Sequence, residues 1–267
     1  MTDYVRSTDG TSIAFWRSGE AKPLVCVHGV SVDHRHWDAV RPLLEDVASV
    51  VTIDRRGHGA SESGPVTYSL ADEVADLAAV IEACADRVDV VAHSYGGLVA
   101  LEAALLDLPI DSLVVYEPSI DYDPTFPDVL ARVTELVGRG QMERAAETLL
   151  VELAGVSPDA LAAVRELPLW PIILQGVEVL PREGRAIVDY RFQPERFVEL
   201  EPPTLVVTGE KSAAHVHEAM RALDGALPES ELRMLAGQDH VAAQTAPDLL
   251  VGEILRFWGE GKRYRPC

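Results

Sequence analysis

The hexapeptide Ala92-His93-Ser94-Tyr95-Gly96-Gly97 joins an apolar run, Val88 to Val91, to a helix-like stretch, Leu98 to Ala104. A serine between small residues at a strand-to-helix junction has the form of a nucleophile elbow, in which a sharp turn lifts the hydroxyl above the sheet. The free N–H groups and the dipole of the helix that follows favour negative charge at that point. Ala92 stands where glycine is commoner, and Gly96 lets strand and helix approach across the turn. The chemistry indicated is attack by the Ser94 hydroxyl on an acyl carbon.

A serine hydroxyl is a weak nucleophile at neutral pH, so it needs a base at its proton and a group that fixes that base. His240, in Leu235-Ala236-Gly237-Gln238-Asp239-His240-Val241, follows the last strand-like run and precedes the last helical one. It is the candidate base. Three carboxylates are candidates to hold it: Glu117, Asp121 and Glu210. Asp239 is too close in sequence to reach the far ring nitrogen. Glu117, in Val114-Val115-Tyr116-Glu117-Pro118, is favoured, because a carboxylate at the end of a buried strand is costly without donors and an imidazole N–H would supply one. Of the other histidines, the pairs His34/His36 and His215/His217 do not share a helix face at a spacing of two, and no metal site is expected from them. His58 is expected to brace its loop and His93 to point into the core.

These groups must be positioned by a scaffold. Strand candidates are Ser12 to Trp16, Pro23 to Val27, Ser49 to Ile53, Val88 to Ala92, Ser112 to Tyr116, Thr204 to Thr208 and Leu232 to Leu235. Helical patterns lie between them at about 37–45, 69–85, 95–106, 213–226 and 246–258. Apolar strands alternating with helices predict a mostly parallel sheet with helices on both faces. The alternation breaks once, at 121–200, where only helix-period stretches occur, near 127–137, 141–153 and 158–167, separated by Gly and Pro. A core of 1–120 and 201–267 carrying a helical cap at 121–200 is therefore expected, the cap walling the crevice at the strand ends.

The chain has 267 residues, 48% hydrophobic and 25% charged, with a formal net charge of −20. That size suits one catalytic α/β unit. The acidic excess is spread evenly between 121–200 and the remainder, so it reads as a solvation property. It argues against nucleic acid and against an anionic membrane surface, both of which require clustered cations. Cys26, Cys84 and Cys267 are widely spaced and read as packing residues of a reducing compartment. The first residues lack the pattern of a signal peptide and no apolar run approaches bilayer length, so a cytoplasmic protein is expected.

Four motifs in order, His28-Gly29-Val30, Asp54-Arg55-Arg56-Gly57-His58-Gly59-Ala60-Ser61, the elbow at Ser94 and the late His240, resemble the α/β-hydrolase fold along nearly the whole chain. The resemblance implies a helical cap inserted after the sixth strand, and the order nucleophile first, histidine last. It also implies an oxyanion hole made by the backbone N–H groups of Val30 and Tyr95. Members usually carry Asp shortly after the seventh strand, but Gly209-Glu210-Lys211-Ser212 places a serine there. An acid after the sixth strand is similar to the haloalkane dehalogenase branch. That branch uses an Asp nucleophile, so the likeness concerns the acid alone.

The function expected is a serine hydrolase of small or medium esters or lactones, using no cofactor and no metal. Fold and triad do not separate this from C–C bond hydrolysis, perhydrolysis or a lyase step, or from a receptor that keeps the pocket with little catalysis. The substrate is expected to be a small, apolar molecule. His28, Phe126 and Trp170 are expected to face it, and the oligomeric state is not encoded in any motif.

Overall fold

The computed structural model describes residues 1–84, 87–153, 158–166 and 169–260; Cys267 lies outside them. Eight strands form one sheet: β1 (Thr2–Arg6), β2 (Ser12–Ser18), β3 (Pro23–Val27), β4 (Ser49–Ile53), β5 (Val88–His93), β6 (Ile110–Tyr116), β7 (Thr204–Gly209) and β8 (Ser230–Leu235). Their order is β1-β2-β4-β3-β5-β6-β7-β8. β1 and β2 pair antiparallel with each other, β2 pairs antiparallel with β4, and every later pairing is parallel.

Helices α1 (Arg41–Leu44), α2 (Leu70–Cys84) and α3 (Tyr95–Ala104) belong to the first half of the chain. Between β6 and β7 run α4 (Phe126–Gly138), α5 (Met142–Glu152), α6 (Pro158–Arg165), α7 (Trp170–Val177) and α8 (Leu180–Asp189). The chain closes with α9 (Ala214–Ala226), α10 (Ala242–Thr245) and α11 (Pro247–Glu260). None of the described helices is long and apolar enough to cross a membrane.

β3, β4, β5 and β7 are buried at every position, as strands covered on both faces are, which is why they read as largely apolar runs; the polar exceptions, such as Asp89 of β5 with Lys22 and Ser112, are paired. Alternate residues face opposite layers. Val25, Val27, Val90, Ala92 and Val115 pack with Leu77 and Ile81 of α2 and Leu98 of α3. Leu24, Cys26, Val91, Val114 and Val207 pack with Trp37 and with Leu250 and Ile254 of α11.

Two features depart from the sequence reading, and a third forms against local signals. β1 is an additional edge strand whose residues are exposed or half-buried, so it has no apolar run to announce it. The stretch expected as a helix at 37–45 is a 3₁₀ turn, His34–Trp37, followed by the single turn α1. α7 and α8 form despite Pro171, Gly176, Pro181 and Gly184. Each proline sits in the first turn of its helix, where no N–H is needed.

The strand order reverses between β3 and β5, and the crevice at such a switch lies at the carboxyl ends of the strands. The chain leaves β3 there at His28-Gly29-Val30 and leaves β5 at Ser94.

Candidate active site

Ser94 has φ 54° and ψ −123°, a conformation few non-glycine residues adopt. The fold holds it there: Ser94 N–H donates to the Tyr116 carbonyl at 2.9 Å, and Ser119 N–H donates to the Ser94 carbonyl at 3.1 Å. A Cβ on Gly96 would lie 2.3 Å from the His28 carbonyl oxygen, so the small residue demanded at that position clears the end of β3. Gly29 is closely packed too, since its Cβ would fall 3.0 Å from Ser94 Cβ and 3.4 Å from Ser94 Oγ. The loop after β3 therefore lies directly against the serine.

Glu117, the residue after β6, also has positive φ, 44°. Its Oε2 accepts a hydrogen bond from His240 Nδ1 at 2.7 Å. Its Oε1 accepts from Thr208 Oγ1 at 2.9 Å, Gly209 N–H at 2.8 Å and Ser212 Oγ. Burial opposes ionisation of this carboxyl, but His240, Ser212 and Gly209 outweigh it and hold its pKa below the ordinary value. The two rival carboxylates are elsewhere engaged or placed: Glu210 accepts from Gly237 N–H at 2.7 Å, and Asp121 is exposed at the rim of the cavity.

The loop bearing His240 is clamped from below. His93 Nε2 donates to the His240 carbonyl at 2.9 Å, and its ring lies 4.4 Å from the His240 ring. Tyr116 Oη donates to the Asp239 carbonyl and accepts from Ala242 N–H at 3.2 Å. His36 stacks on the far side of His93 at 4.8 Å. Burial keeps both inner rings neutral: His93 is pulled well below the usual histidine value and His36 falls to about 3. His240 itself remains half-exposed, its ring open to the cavity.

Ser94, Ser119 and His240 line a cavity of 140 Å³, walled by Val216, Ala219 and Met220 of α9. Ser94 Oγ lies 3.4 Å from Ser119 Oγ. A second hollow of 570 Å³ shares Asp121 and Ala219 with it and is lined by Tyr122, Tyr190 and Phe192.

None of the three residues expected to face substrate lines this cavity. His28 is buried behind the Gly29-Val30 loop, donating from Nδ1 to the Gly29 carbonyl and accepting at Nε2 from Arg55 N–H. Phe126 packs in the core beside Tyr122, and Trp170 lies under the Arg165 guanidinium on α7. Their apolar bulk at helical spacing serves packing. The residues missed on α9 had the same signature, and only the position of α9 beside β7 separates the two cases. Asp33, His34 and Asp54 come close enough to suggest a metal site, but their donors are spent. Asp54 accepts from His34 and from Ala60 N–H, and Asp33 binds Arg35.

Residues 24–253 match the alpha/beta hydrolase family, and the chain belongs to it. It is a hydrolase of that fold. It is similar to an alpha/beta hydrolase from Sphaerobacter thermophilus, 31% identical, with a TM-score of 0.84 over 96% of this chain and 100% of that one. A pimeloyl-[acyl-carrier protein] methyl ester esterase from Aeromonas hydrophila is 25% identical over 93% of this chain and 100% of its own length. A 2-heptyl-3-hydroxy-4-quinolone dioxygenase from Rhodococcus erythropolis is 28% identical over 91% of this chain and 92% of its own length.

Proposed function

We propose that this hydrolase cleaves small or medium carboxylic esters or lactones through an acyl-enzyme on Ser94. The observation that carries the reading is the Glu117 Oε2 to His240 Nδ1 contact at 2.7 Å, made beside the cavity that Ser94 and His240 share. Donation from Nδ1 leaves His240 Nε2 as the acceptor. His240 takes the Ser94 proton as Oγ bonds to the substrate carbonyl carbon, and returns it to the leaving oxygen as that C–O bond breaks. Water, deprotonated by His240, then attacks the acyl-enzyme and frees Ser94. The Val30 and Tyr95 N–H groups bind the oxyanion, each worth about 3 kcal/mol in the transition state.

The two hollows support a substrate with one short group in the 140 Å³ cavity and a longer part along the second, where Tyr122, Tyr190 and Phe192 are joined by the charged Asp121, Arg191 and Glu218. Helices α4–α8, within 121–200, serve as the cap over it. The relative named as a methyl ester esterase supports the reaction class, and buried, unpaired Cys26 and Cys84 suit work in the cytoplasm.

A second reading, in which the same residues serve a reaction other than ester hydrolysis, is favoured by the relative named as a dioxygenase. A panel of p-nitrophenyl esters from acetate to octanoate, with a lactone and a diketone, separates the two. Ester turnover at about 1 to 1,000 per second, abolished in Ser94→Ala and His240→Ala, is the expected result. Unchanged turnover in either variant contradicts it.

A further inference from the structure

The buried guanidinium of Arg55 is not used by the triad, yet it reaches every part of the oxyanion region. Its Nη2 donates to the Gly29 carbonyl at 3.2 Å and its Nε to the His28 carbonyl at 3.0 Å. It lies 4.8 Å from the centre of the Tyr95 ring. Its counterions are Glu183, carried by α8, and Glu73, carried by α2 at 3.4 Å. Glu183 also accepts from His58 Nε2 at 2.8 Å.

We propose that Arg55, held by Glu183 from the inserted helices, is a positioning residue that aims the Val30 N–H at the oxyanion. This rests on the serine hydrolase reading above. The Gly29 carbonyl and the Val30 N–H belong to one planar trans peptide, so their oxygen and hydrogen point in opposite directions. Fixing the oxygen fixes the N–H. Arg55 Nη2 and His28 Nδ1, at 2.8 Å, both donate to that oxygen and draw it away from the serine side of the loop. The restraint is needed because residue 29, packed close against Ser94, is a glycine, and glycine leaves the adjoining peptide free to rotate. Donation to the carbonyl also polarises the peptide and strengthens its N–H as a donor. Because the closest counterion of Arg55 rides on α8, the oxyanion site is complete only when α8 is docked.

The test compares wild type with Arg55→Lys, which keeps the charge and loses the fork, and with Glu183→Gln, which keeps the shape. A neutral set, Arg55→Met with Glu73→Gln and Glu183→Gln, guards against misfolding from an unpaired buried charge. Each folded variant is read for kcat, KM, affinity for a trifluoromethyl ketone, whose serine adduct carries an oxyanion, and affinity for the carboxylic acid product, which does not. The expected result is a parallel loss of kcat and ketone affinity of about tenfold to a hundredfold, with KM and product affinity nearly unchanged. Folded variants with wild-type kcat and ketone affinity, or with changes confined to KM or thermal stability, overturn the inference. Turnover that survives Ser94→Ala sinks the serine hydrolase reading and this inference together; Ser94-dependent turnover indifferent to Arg55 and Glu183 sinks this inference alone.

Discussion

Ser212 Oγ donates a hydrogen bond to Glu117 Oε1, the carboxylate oxygen turned away from His240. Ser212 occupies the position where the resembled family usually carries its acid. The serine cannot orient an imidazole directly, but it braces the carboxylate after β6 to which the proposed mechanism gives that task.

Replacing that serine by an acid therefore harms the site. Ser212→Asp sets a second carboxylate against Glu117, and like charges at this distance oppose ionisation of both. Its kcat should fall further than that of Ser212→Ala, which removes one donor worth about 1 kcal/mol, or roughly fivefold. Steady-state kinetics on one ester decides it, and a Ser212→Asp variant as active as wild type contradicts the bracing role.

Glu117 gives a pH signature. Its pKa is lower in the folded chain than the ordinary 4.5, so ionisation favours the folded state. The stability it contributes is present above about pH 4.5 and is lost as pH falls through the folded value. The difference in Tm between wild type and Glu117→Gln should be constant from pH 7 to 5 and shrink at more acid pH. A difference that widens on acidification contradicts the assignment.

The inner histidines act in a higher window. Buried His36 has its pKa lowered to about 3 from 6.5, so below 6.5 the unfolded chain binds a proton that the folded chain refuses. Stability is lost as pH falls from 6.5 towards 3, at about 1.4 kcal/mol per pH unit for each such group. Urea unfolding at pH 7 and pH 5 should show a shallower acid loss in His36→Phe than in wild type. Equal slopes contradict burial of a neutral ring.

Gly176 of α7 tests how the inserted helices meet the site. A Cβ there would lie 2.4 Å from the carbonyl carbon of Ser31, in the loop that carries Val30. Gly176→Ala should lower both Tm and kcat, because α7 can no longer seat on that loop. Gly225 of α9, where an added Cβ meets nothing, is the control: Gly225→Ala should leave kcat unchanged and raise stability by up to about 1 kcal/mol. Both are measured by thermal unfolding and ester kinetics.

What could be read from the sequence follows from where each signal resides. β3, β4 and β5 were legible because strands buried on both faces are mostly apolar, and Ser94 because its turn demands small neighbours. Glu117 emerged as the favoured acid from the cost of an unpartnered carboxylate at a strand end. His93 was expected in the core, and it is buried there, but its hydrogen bond to the His240 carbonyl spans 147 positions and has no local mark. The same holds for Arg55, whose partner Glu183 is 128 residues away. Phe126 and Trp170 were expected at the crevice and pack among the inserted helices, because apolar residues at helical spacing look alike whether they face a core or a crevice.

The central claim is a covalent bond at Ser94. Wild-type protein mixed with a fluorophosphonate should gain the mass of one phosphonyl group, located by peptide mass spectrometry on Ser94 and absent from Ser94→Ala. An unmodified wild-type chain that still turns over esters, or a label on another residue with Ser94 untouched, would contradict the account.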